Sequence, residues 1–437
     1  MAHLAPASGY HDLVQRLNRF PQGAPPAEAL FQILKILFSE KEARMVSRLP
    51  IRVFTVEKAA RVWGLRPVAA RRNLDDLCRR GLLVDFVQPG GRHYCLPPPM
   101  AGFFEFSMMR VRTDFDQKAL AELLYRYINV EKDFAAALFA RGDIQLGRIF
   151  IKESLLAEPL RLEVLDFERA SHVIRTAAPI ALGTCYCRHK MDHLGRACNA
   201  PQQLCLTFNH VADFLIRHGH ARRIDSVEAR DVLQQAHDHH LVQFGENVRQ
   251  EVNFICNCCK CCCEAMVAAR RFALFHPVHA APFLPQVTSD ACIGCGQCVA
   301  HCPADAITLA AVTEPGIGRH SLPRIDAERC LGCGICAEGC PTGAIALVPR
   351  PHRVLTPLNT AHRTVLMAIE RGTLPDIFLD NPSIPGYRLL ATVLGVIFKL
   401  PPVKQLLAAR QLQSRYLERL VQRLHWQPTM SSRTQIG

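Results

Sequence analysis

The sequence predicts a multidomain α+β protein, and three observations lead to that class. Its 437 residues correspond to about two to four domains, at roughly 100–200 residues each. Its composition, 49% apolar and 21% charged, is sufficient for several packed cores and excludes disordered and collagen-like chains. Helical patterns alternate along the chain with short strand patterns. On composition we divide the chain into five regions, with predicted bounds 1–105, 106–180, 181–280, 287–348 and 351–437.

The first region is predicted to form a winged-helix-like domain. Capping signals predict one helix that begins after Ser39 and two more over residues 55–64 and 67–80. Two short strands, 82–87 and 92–96, flank a turn that contains proline and glycine. The order helix, turn, helix, hairpin is that of a winged helix.

Basic residues of this region give it two alternative roles. Arg66, Arg71 and Arg72 lie near the start of the predicted recognition helix, and Arg92 lies on the predicted wing. That placement suits contact with DNA. The alternative is a packing or protein-docking module, because arginines are also common on any solvated helix face.

The next segments carry no visible chemistry. Residues 106–180 are predicted to be a helical scaffold that connects the first region to the third. Residues 281–286, Ala-Pro-Phe-Leu-Pro-Gln, are predicted to be a linker because they contain two prolines.

Region 287–348 contains a cysteine run that occurs twice. Each copy has the spacing C-x2-C-x2-C-x3-C followed by proline, and the second begins 38 residues after the first. Glycines between the cysteines allow the backbone to approach a bound group closely. The two copies are Cys292, Cys295, Cys298, Cys302 and Pro303, and Cys330, Cys333, Cys336, Cys340 and Pro341.

This spacing is typical of two [4Fe-4S] clusters, in which the fourth cysteine of each run ligates the cluster of the other run. A pair of zinc sites is the alternative, since C-x2-C also binds zinc, but the doubled run with both prolines favours iron–sulfur. We expect one cluster on Cys292, Cys295, Cys298 and Cys340, and the other on Cys330, Cys333, Cys336 and Cys302.

With these motifs, about 60 residues of the chain resemble the bacterial two-cluster ferredoxin. The resemblance implies a small pseudo-twofold βαββαβ domain whose clusters pass single electrons. The connection over residues 313–329 is longer than a minimal ferredoxin of this type needs. We expect it to be a surface insertion.

A second cysteine system lies in region 181–280, which is predicted to be a helical cysteine-rich module. Closely packed thiolates repel one another and oxidise readily unless they bind a metal. The module contains ten cysteines, which leave four alternatives open. They are two further [4Fe-4S] clusters with two spare cysteines, one larger cluster, a zinc site on four of the ten cysteines, or a redox-active trio of cysteines. Iron–sulfur is favoured, without an assignment of ligands to clusters. The candidate ligands are Cys185, Cys187, Cys198, Cys205, Cys256, Cys258, Cys259, Cys261, Cys262 and Cys263.

The cysteines of this module lie in short motifs: Cys185-Tyr186-Cys187-Arg188-His189, then Cys198, Cys205-Leu206-Thr207-Phe208 and Asn253-Phe254-Ile255-Cys256-Asn257-Cys258-Cys259. These motifs resemble the cysteine-rich proteins known as 4Fe-4S ferredoxin or 4Fe-4S dicluster-domain proteins. The resemblance covers about residues 180–350 and implies cytoplasmic electron transfer. We expect Arg188 or His189 to donate hydrogen bonds to cluster sulfides. As direct ligands, His189 and His193 are better candidates than His237, His239 and His240, which are predicted to be surface residues.

Charge is distributed unevenly along the chain. The formal net charge is +13, yet region 287–348 has three arginines against six acidic residues, a net charge of −3. We expect this acidic segment to dock on basic parts of the same chain or of a partner. The last region is predicted to hold an apolar helix, 389–400, and a basic amphipathic helix, 404–424, which pack on protein or lie on an anionic membrane. No run is long enough to span a bilayer.

No nucleotide-binding or hydrolytic motif occurs in the sequence, so flavin or nicotinamide chemistry is expected on a partner oxidoreductase. The cysteine usage and the absence of a secretion signal at residues 1–10 predict a cytoplasmic protein. The sequence thus favours an iron–sulfur electron carrier or redox subunit over a self-contained enzyme. The alternative function is a redox-responsive DNA-binding regulator, with the winged helix as reader and the clusters as sensor.

Overall fold

The computed structural model describes residues 8–88, 90–139, 142–272, 277–314, 318–351 and 356–378. Helices and several small sheets are mixed along the chain, which confirms the α+β class. None of the described helices is long and apolar enough to cross a membrane. The helices predicted at 389–400 and 404–424 lie outside the described residues.

The N-terminal region begins with five helices, and the sequence predicts the starts of the last three correctly. Ser39 and Glu42 form the reciprocal capping box, and Thr55 Oγ1 accepts from the amide of Lys58. Gly64 ends the helix with φ 66°, in the left-handed region that glycine favours. The helices are α1 (Gly9–Asn18), α2 (Glu28–Leu37), α3 (Glu40–Ser47), α4 (Val56–Trp63) and α5 (Pro67–Arg79).

A three-stranded antiparallel sheet follows and packs beside α4 and α5. Its strands are β1 (Phe54–Thr55), β2 (Val84–Gln88) and β3 (Gly91–Cys95), in the order β1-β3-β2. Asp85 of β2 is fully buried and is bound by Arg217 and His218, at 2.9 Å to each. The hairpin is thereby attached to the cysteine-rich module.

The connecting region is mainly helical, as predicted, and also contains one strand. An aromatic cluster of Phe104, Tyr127 and Phe134 lies in its core. Its elements are α6 (Phe104–Met108), α7 (Gln117–Tyr125), α8 (Lys132–Phe139), β4 (Gly147–Ile149), α9 (Glu158–Glu163) and α10 (Ala170–Thr176).

The cysteine-rich module is built on a six-stranded antiparallel sheet, so the prediction of a helical module is wrong. The sheet order is β4-β8-β9-β6-β5-β7. The strands are β5 (Ile180–Gly183), β6 (Cys205–Phe208), β7 (Ala221–Ile224), β8 (Val242–Glu246) and β9 (Phe254–Cys258). Every residue of β5 and β8 is buried, and strands buried on both faces lack the apolar–polar alternation that marks a strand in sequence.

Four helices of the module flank this sheet. They are α11 (Tyr186–His193), α12 (Asn209–Arg217), α13 (Ser226–Asp238) and α14 (Glu264–Arg271). After the next region the described chain closes with α17 (Thr360–Arg371) and α18 (Leu374–Phe378). Arg363 of α17 pairs with Glu246 of β8 at 2.9 Å, which fixes α17 against the sheet.

The acidic segment has the element order strand, helix, strand, strand, helix, strand. Residues 281–286 are not a linker, because they lead into and form most of its first strand. Pro285 is tolerated there because a two-stranded sheet leaves one side of each strand without a ladder. The elements are β10 (Phe283–Val287), α15 (Gln297–His301), β11 (Ile307–Glu314), β12 (Gly318–Ile325), α16 (Ile335–Glu338) and β13 (Ile345–Pro349).

Two antiparallel strand pairs hold this segment together. β10 pairs with β13, and β11 pairs with β12 over eight residue pairs, from Ile307↔Ile325 to Glu314↔Gly318. The connection expected as a surface insertion at 313–329 thus contains the end of β11 and the whole of β12, the two strands of a long hairpin.

Candidate metal centres

Left-handed glycines shape both cysteine loops of the acidic segment. Gly294 and Gly332 have φ 66° and 67°, and a Cβ there would lie 2.7 Å and 2.3 Å from a backbone oxygen. A side chain at either position is therefore excluded both by space and by conformation. These two turns let the loops fold back and bring three cysteines of each run together.

The first of these sites combines cysteines from both runs. Cys292, Cys295, Cys298 and Cys340 line one small cavity of about 20 Å³. Three of them belong to the first run and the fourth to the second. This is the set of side chains that the crossed ligand pattern requires for the first cluster.

Cys302 lies with the second run. Burial raises the pKa of the Cys333 thiol to about 12, and the neighbouring Cys330 and Cys302 contribute to the rise. Burial raises the pKa of Cys336 as well, with contributions from the same neighbours. The amide of Ala306 donates to Cys302 Sγ at 3.2 Å. Four buried thiols gathered in this way are a donor set that suits a metal cluster.

In the cysteine-rich module, four thiols form one compact group. Cys198, Cys259, Cys261 and Cys262, here called the four-cysteine group, have all their Sγ atoms within 4.8 Å of one another. Sγ of Cys262 lies 3.6 Å from Cys261 and 4.0 Å from Cys198. Three come from the turn after β9 and one from the loop after α11. Spacing of this kind suits a single metal ion or cluster.

The remaining six thiols of the module form a second group around β9. All six line one cavity of about 250 Å³, and each shifts the pKa of the next in the order Cys185, Cys187, Cys263, Cys258, Cys256 and Cys205. We call these residues the six-cysteine group. Cys185 and Cys187 lie at the start of α11, Cys205 begins β6, and Cys256 and Cys258 end β9. The sequence predicts the ten cysteines but not this division into four and six.

Arg188 is the charged residue that both groups share. Its side chain is 1% exposed and donates to the carbonyl oxygens of Pro201 and Asn257, at 2.8–3.0 Å. Burial alone would lower the pKa of its guanidinium, but the thiolates, led by Cys185 and Cys259, raise it above its ordinary value. A cation in this position offsets the repulsion between thiolates of the two groups.

The histidines take other roles. His189 Nδ1 lies 2.6 Å from the carbonyl oxygen of Met108, and its ring centre lies 4.8 Å from that of His193, with the two rings tilted by 44°. Neither histidine belongs to the compact group of possible metal ligands found among the described residues. His237 is half-buried against Gln243, whereas His239 and His240 are exposed.

A buried ionic network lies next to the six-cysteine group, and no sequence pattern predicts it. Glu264, the residue after Cys263, accepts from Lys190 at 2.6 Å and from Tyr186 at 3.0 Å. Asn129 bonds both members of the ion pair. Because a buried charge is stable only when paired and hydrogen-bonded, this network fixes α11 against α14. No local motif identifies it, since its members are far apart in sequence.

The acidic segment lies directly against the cysteine-rich module. Lys260, between Cys259 and Cys261, donates to the carbonyl oxygen of Ala300 at 2.5 Å. Glu338 pairs with Lys152 at 2.6 Å and His240 at 3.2 Å. These contacts agree with the expectation that acidic residues of this segment meet basic residues of the same chain.

Comparison with known protein families identifies one part of the chain. Residues 291–344 match the family model described as a 4Fe-4S dicluster domain. Neither the curated proteins nor the solved structures gave a match to the chain. The segment that contains the repeated cysteine run is therefore a 4Fe-4S ferredoxin-type domain.

Proposed function

We propose that this chain is an iron–sulfur electron-transfer protein that passes single electrons between the ferredoxin-type domain and the cysteine-rich module. The ferredoxin-type domain holds two [4Fe-4S] clusters, one on Cys292, Cys295, Cys298 and Cys340 and one on Cys330, Cys333, Cys336 and Cys302. When bound, such clusters supply one-electron chemistry. The protein's contribution is to position the thiolates, exclude water and neutralise charge.

The observation that carries this proposal is the contact between Lys260 and Ala300. Lys260 lies within the four-cysteine group, and Ala300 lies between Cys298 and Cys302 of the ferredoxin-type domain. A hydrogen bond from Lys260 thus joins the loop of the four-cysteine group to the backbone of the first cysteine loop of the ferredoxin-type domain. This adjacency supports electron exchange within the chain.

The five regions have distinct roles in this proposal. The winged-helix-like region and the helical connector are the scaffold, and a separate oxidoreductase is the external partner because the sequence has no nucleotide-binding motif. All twenty cysteines are free of disulfides. Free thiols in this number suit a reducing compartment such as the cytoplasm.

Stopped-flow reduction tests the proposal. The anaerobic protein is mixed with a chemical reductant, and freeze-quenched samples are followed by EPR. We expect the ferredoxin signals to form first and electrons then to redistribute into the cysteine-rich module without a mediator. Ferredoxin clusters that stay reduced while the module stays oxidised, at a module potential measured as higher, would reject electron transfer between them.

One surface supports DNA binding as a second candidate function. The start of α5 is exposed, including Arg66, Arg71 and Arg72, and Val68 is 66% exposed. Arg71 lies 3.8 Å from Asp75, and Arg92 pairs with both Asp75 and Asp85. Affinity for random duplex DNA should fall steeply with salt if this face binds phosphates. Absence of binding at low salt would remove this candidate.

A further inference from the structure

A glutamate of α6, Glu105, shares a cavity with the six-cysteine group. This cavity of about 250 Å³, here called the chamber, has Glu105, Glu246 and Glu264 among its lining residues. Glu246 pairs with Arg363 at 2.9 Å, and Glu264 pairs with Lys190 at 2.6 Å. Within the described part of the chain, Glu105 is the one of these three carboxylates that no basic side chain pairs with.

Backbone amides hold the carboxylate of Glu105 in place. Its Oε1 accepts from the amide of Ala101 at 2.7 Å, and its Oε2 accepts from the amide of Gly102 at 2.9 Å. The loop that carries these amides is fixed by Gln22, which exchanges two hydrogen bonds of 2.8 Å with the backbone of Met100. A carboxylate has about four acceptor sites, so the two amides leave about two of them for another partner.

The surroundings of Glu105 supply negative charge and no cation. Burial raises the pKa of Glu105 to about 8, and the neighbouring Cys256 contributes to the rise, whereas the interactions that oppose it are hydrogen bonds from backbone amides. Glu105 in turn contributes to the raised pKa of Cys205. Arg188, in the same lining, donates to carbonyl oxygens and responds to the thiolates instead. An ionised Glu105 among these thiols is therefore stable only with an added cation, such as a metal.

We propose that Glu105 is an oxygen ligand of the metal group held by the six-cysteine group, and thus the seventh donor of that centre. The iron–sulfur nature of the metal group rests on the proposed function, whereas metal binding by Glu105 does not. The described lining of the first ferredoxin cavity contains no acidic residue and no histidine. A hard oxygen donor among soft thiolates therefore distinguishes the six-cysteine centre from that cluster.

Mössbauer spectroscopy of the anaerobic, ⁵⁷Fe-labelled full chain tests this ligand directly. Iron with an oxygen ligand has a larger isomer shift than iron of the same oxidation state with sulfur ligands alone. Wild type should therefore show a module component above the values of the ferredoxin-type domain, and Glu105→Gln should lose that component. Wild-type spectra with all-sulfur components only would overturn the proposal.

Glu251→Gln is the matched control. Glu251 is also a half-buried glutamate whose pKa burial raises, but it is not among the residues that line the chamber. Even residues that only orient a metal ligand change metal affinity about 10- to 100-fold. Release of module iron to a chelator should therefore be at least about 10-fold faster in Glu105→Gln than in wild type, and unchanged in Glu251→Gln. Equal release from Glu105→Gln and wild type would overturn the ligand role.

A second variant separates ligation from the contacts with the loop. Glu105→Asp keeps the charge and the acceptor oxygens but is one methylene shorter, so it should not reach the metal. We expect Glu105→Asp to lose the same Mössbauer component as Glu105→Gln. If Glu105→Gln fails to fold, Glu105→Asp replaces it and the same outcomes decide. A wild-type spectrum in a folded Glu105→Asp would contradict ligation by Glu105.

Metal analysis distinguishes failure of this proposal from failure of the proposed function. If the module holds zinc in place of iron, the proposed function fails, and zinc release to the chelator then tests Glu105 in the same variants. Faster zinc release from Glu105→Gln, with unchanged release from Glu251→Gln, would support ligation by Glu105. Full iron content with unchanged spectra and release in Glu105→Gln would overturn the ligand role and leave electron transfer intact.

Discussion

The ferredoxin-type domain and the cysteine-rich module both gather thiols, but they do so in different ways. In the domain, each group takes three cysteines from one short loop and one from the other loop, and the first group surrounds a cavity of about 20 Å³. In the module, the thiols come from separate strands and helix starts, around a buried arginine and beside a chamber of about 250 Å³. The difference teaches that local turns are enough to gather the thiols of the domain, whereas the thiols of the module meet only because distant strands and helices pack together.

The largest expected effect is that of Arg188→Met. Without the guanidinium, thiolates of both groups in the module repel one another across a buried space. We expect the module to lose its iron, while the EPR signals of the ferredoxin-type domain persist. Arg222→Met is the matched control, because Arg222 is 53% exposed and pairs with Glu228. Full iron content in Arg188→Met would refute the role given to Arg188.

Cys302→Ser tests the crossed ligands of the ferredoxin-type domain. It should damage the cluster on Cys330, Cys333 and Cys336 and spare the one on Cys292, Cys295 and Cys298. The reciprocal variant Cys340→Ser should do the opposite. EPR of the two reduced variants measures this. Loss of the wrong cluster in either variant would contradict the assignment.

Two serine variants test the division of the module into groups. Cys262→Ser should remove metal from the four-cysteine group, and Cys205→Ser should weaken only the six-cysteine group. Mössbauer spectra of the variants should therefore lose different components. If both substitutions remove the same component, the ten cysteines form a single centre and the division is wrong.

The smallest expected effect concerns the attachment of the N-terminal hairpin. Burial would raise the pKa of Asp85, but His218 and Arg217 lower it below its ordinary value. Its contribution to stability is therefore present above the ordinary pKa of an aspartate and is lost as pH falls through the lowered folded value. At neutral pH, Asp85→Asn should destabilise this contact by about 2 kcal/mol.

Hydrogen exchange measures the effect of Asp85→Asn. Protection should fall in β2, β3 and α12, with no change in iron content. Asp213→Asn is the control, because Asp213 is 39% exposed and binds the same Arg217. Equal loss of protection in both variants would contradict a special role for Asp85.

Local signals made part of this structure predictable from sequence. The Ser39 capping box, the Gly64 helix end and the repeated cysteine run each depend on residues a few positions apart, so a short window contains the whole signal. The strands β5 and β8 were missed because both their faces are buried, which removes the alternation. The linker prediction for residues 281–286 is wrong because prolines usually mark linkers, whereas Pro285 lies in a strand that has one free edge.

The division of ten cysteines depends on which strands pair. Cys205 and Cys256 meet because β6 lies beside β9 in the sheet, and no spacing rule gives that pairing. The chamber and the Glu264–Lys190 pair were hidden for the same reason, because their residues come from distant segments. Sequence thus identifies the candidate ligands, and tertiary structure decides which of them lie together.

Quantification of iron, acid-labile sulfide and zinc in the fully loaded anaerobic protein tests the central claim most directly. Two [4Fe-4S] clusters contain eight irons, so iron–sulfur centres in both parts of the chain predict more than eight per chain, with little zinc. Eight irons accompanied by stoichiometric zinc would contradict the account, because the module would then hold zinc and electrons would have no acceptor there.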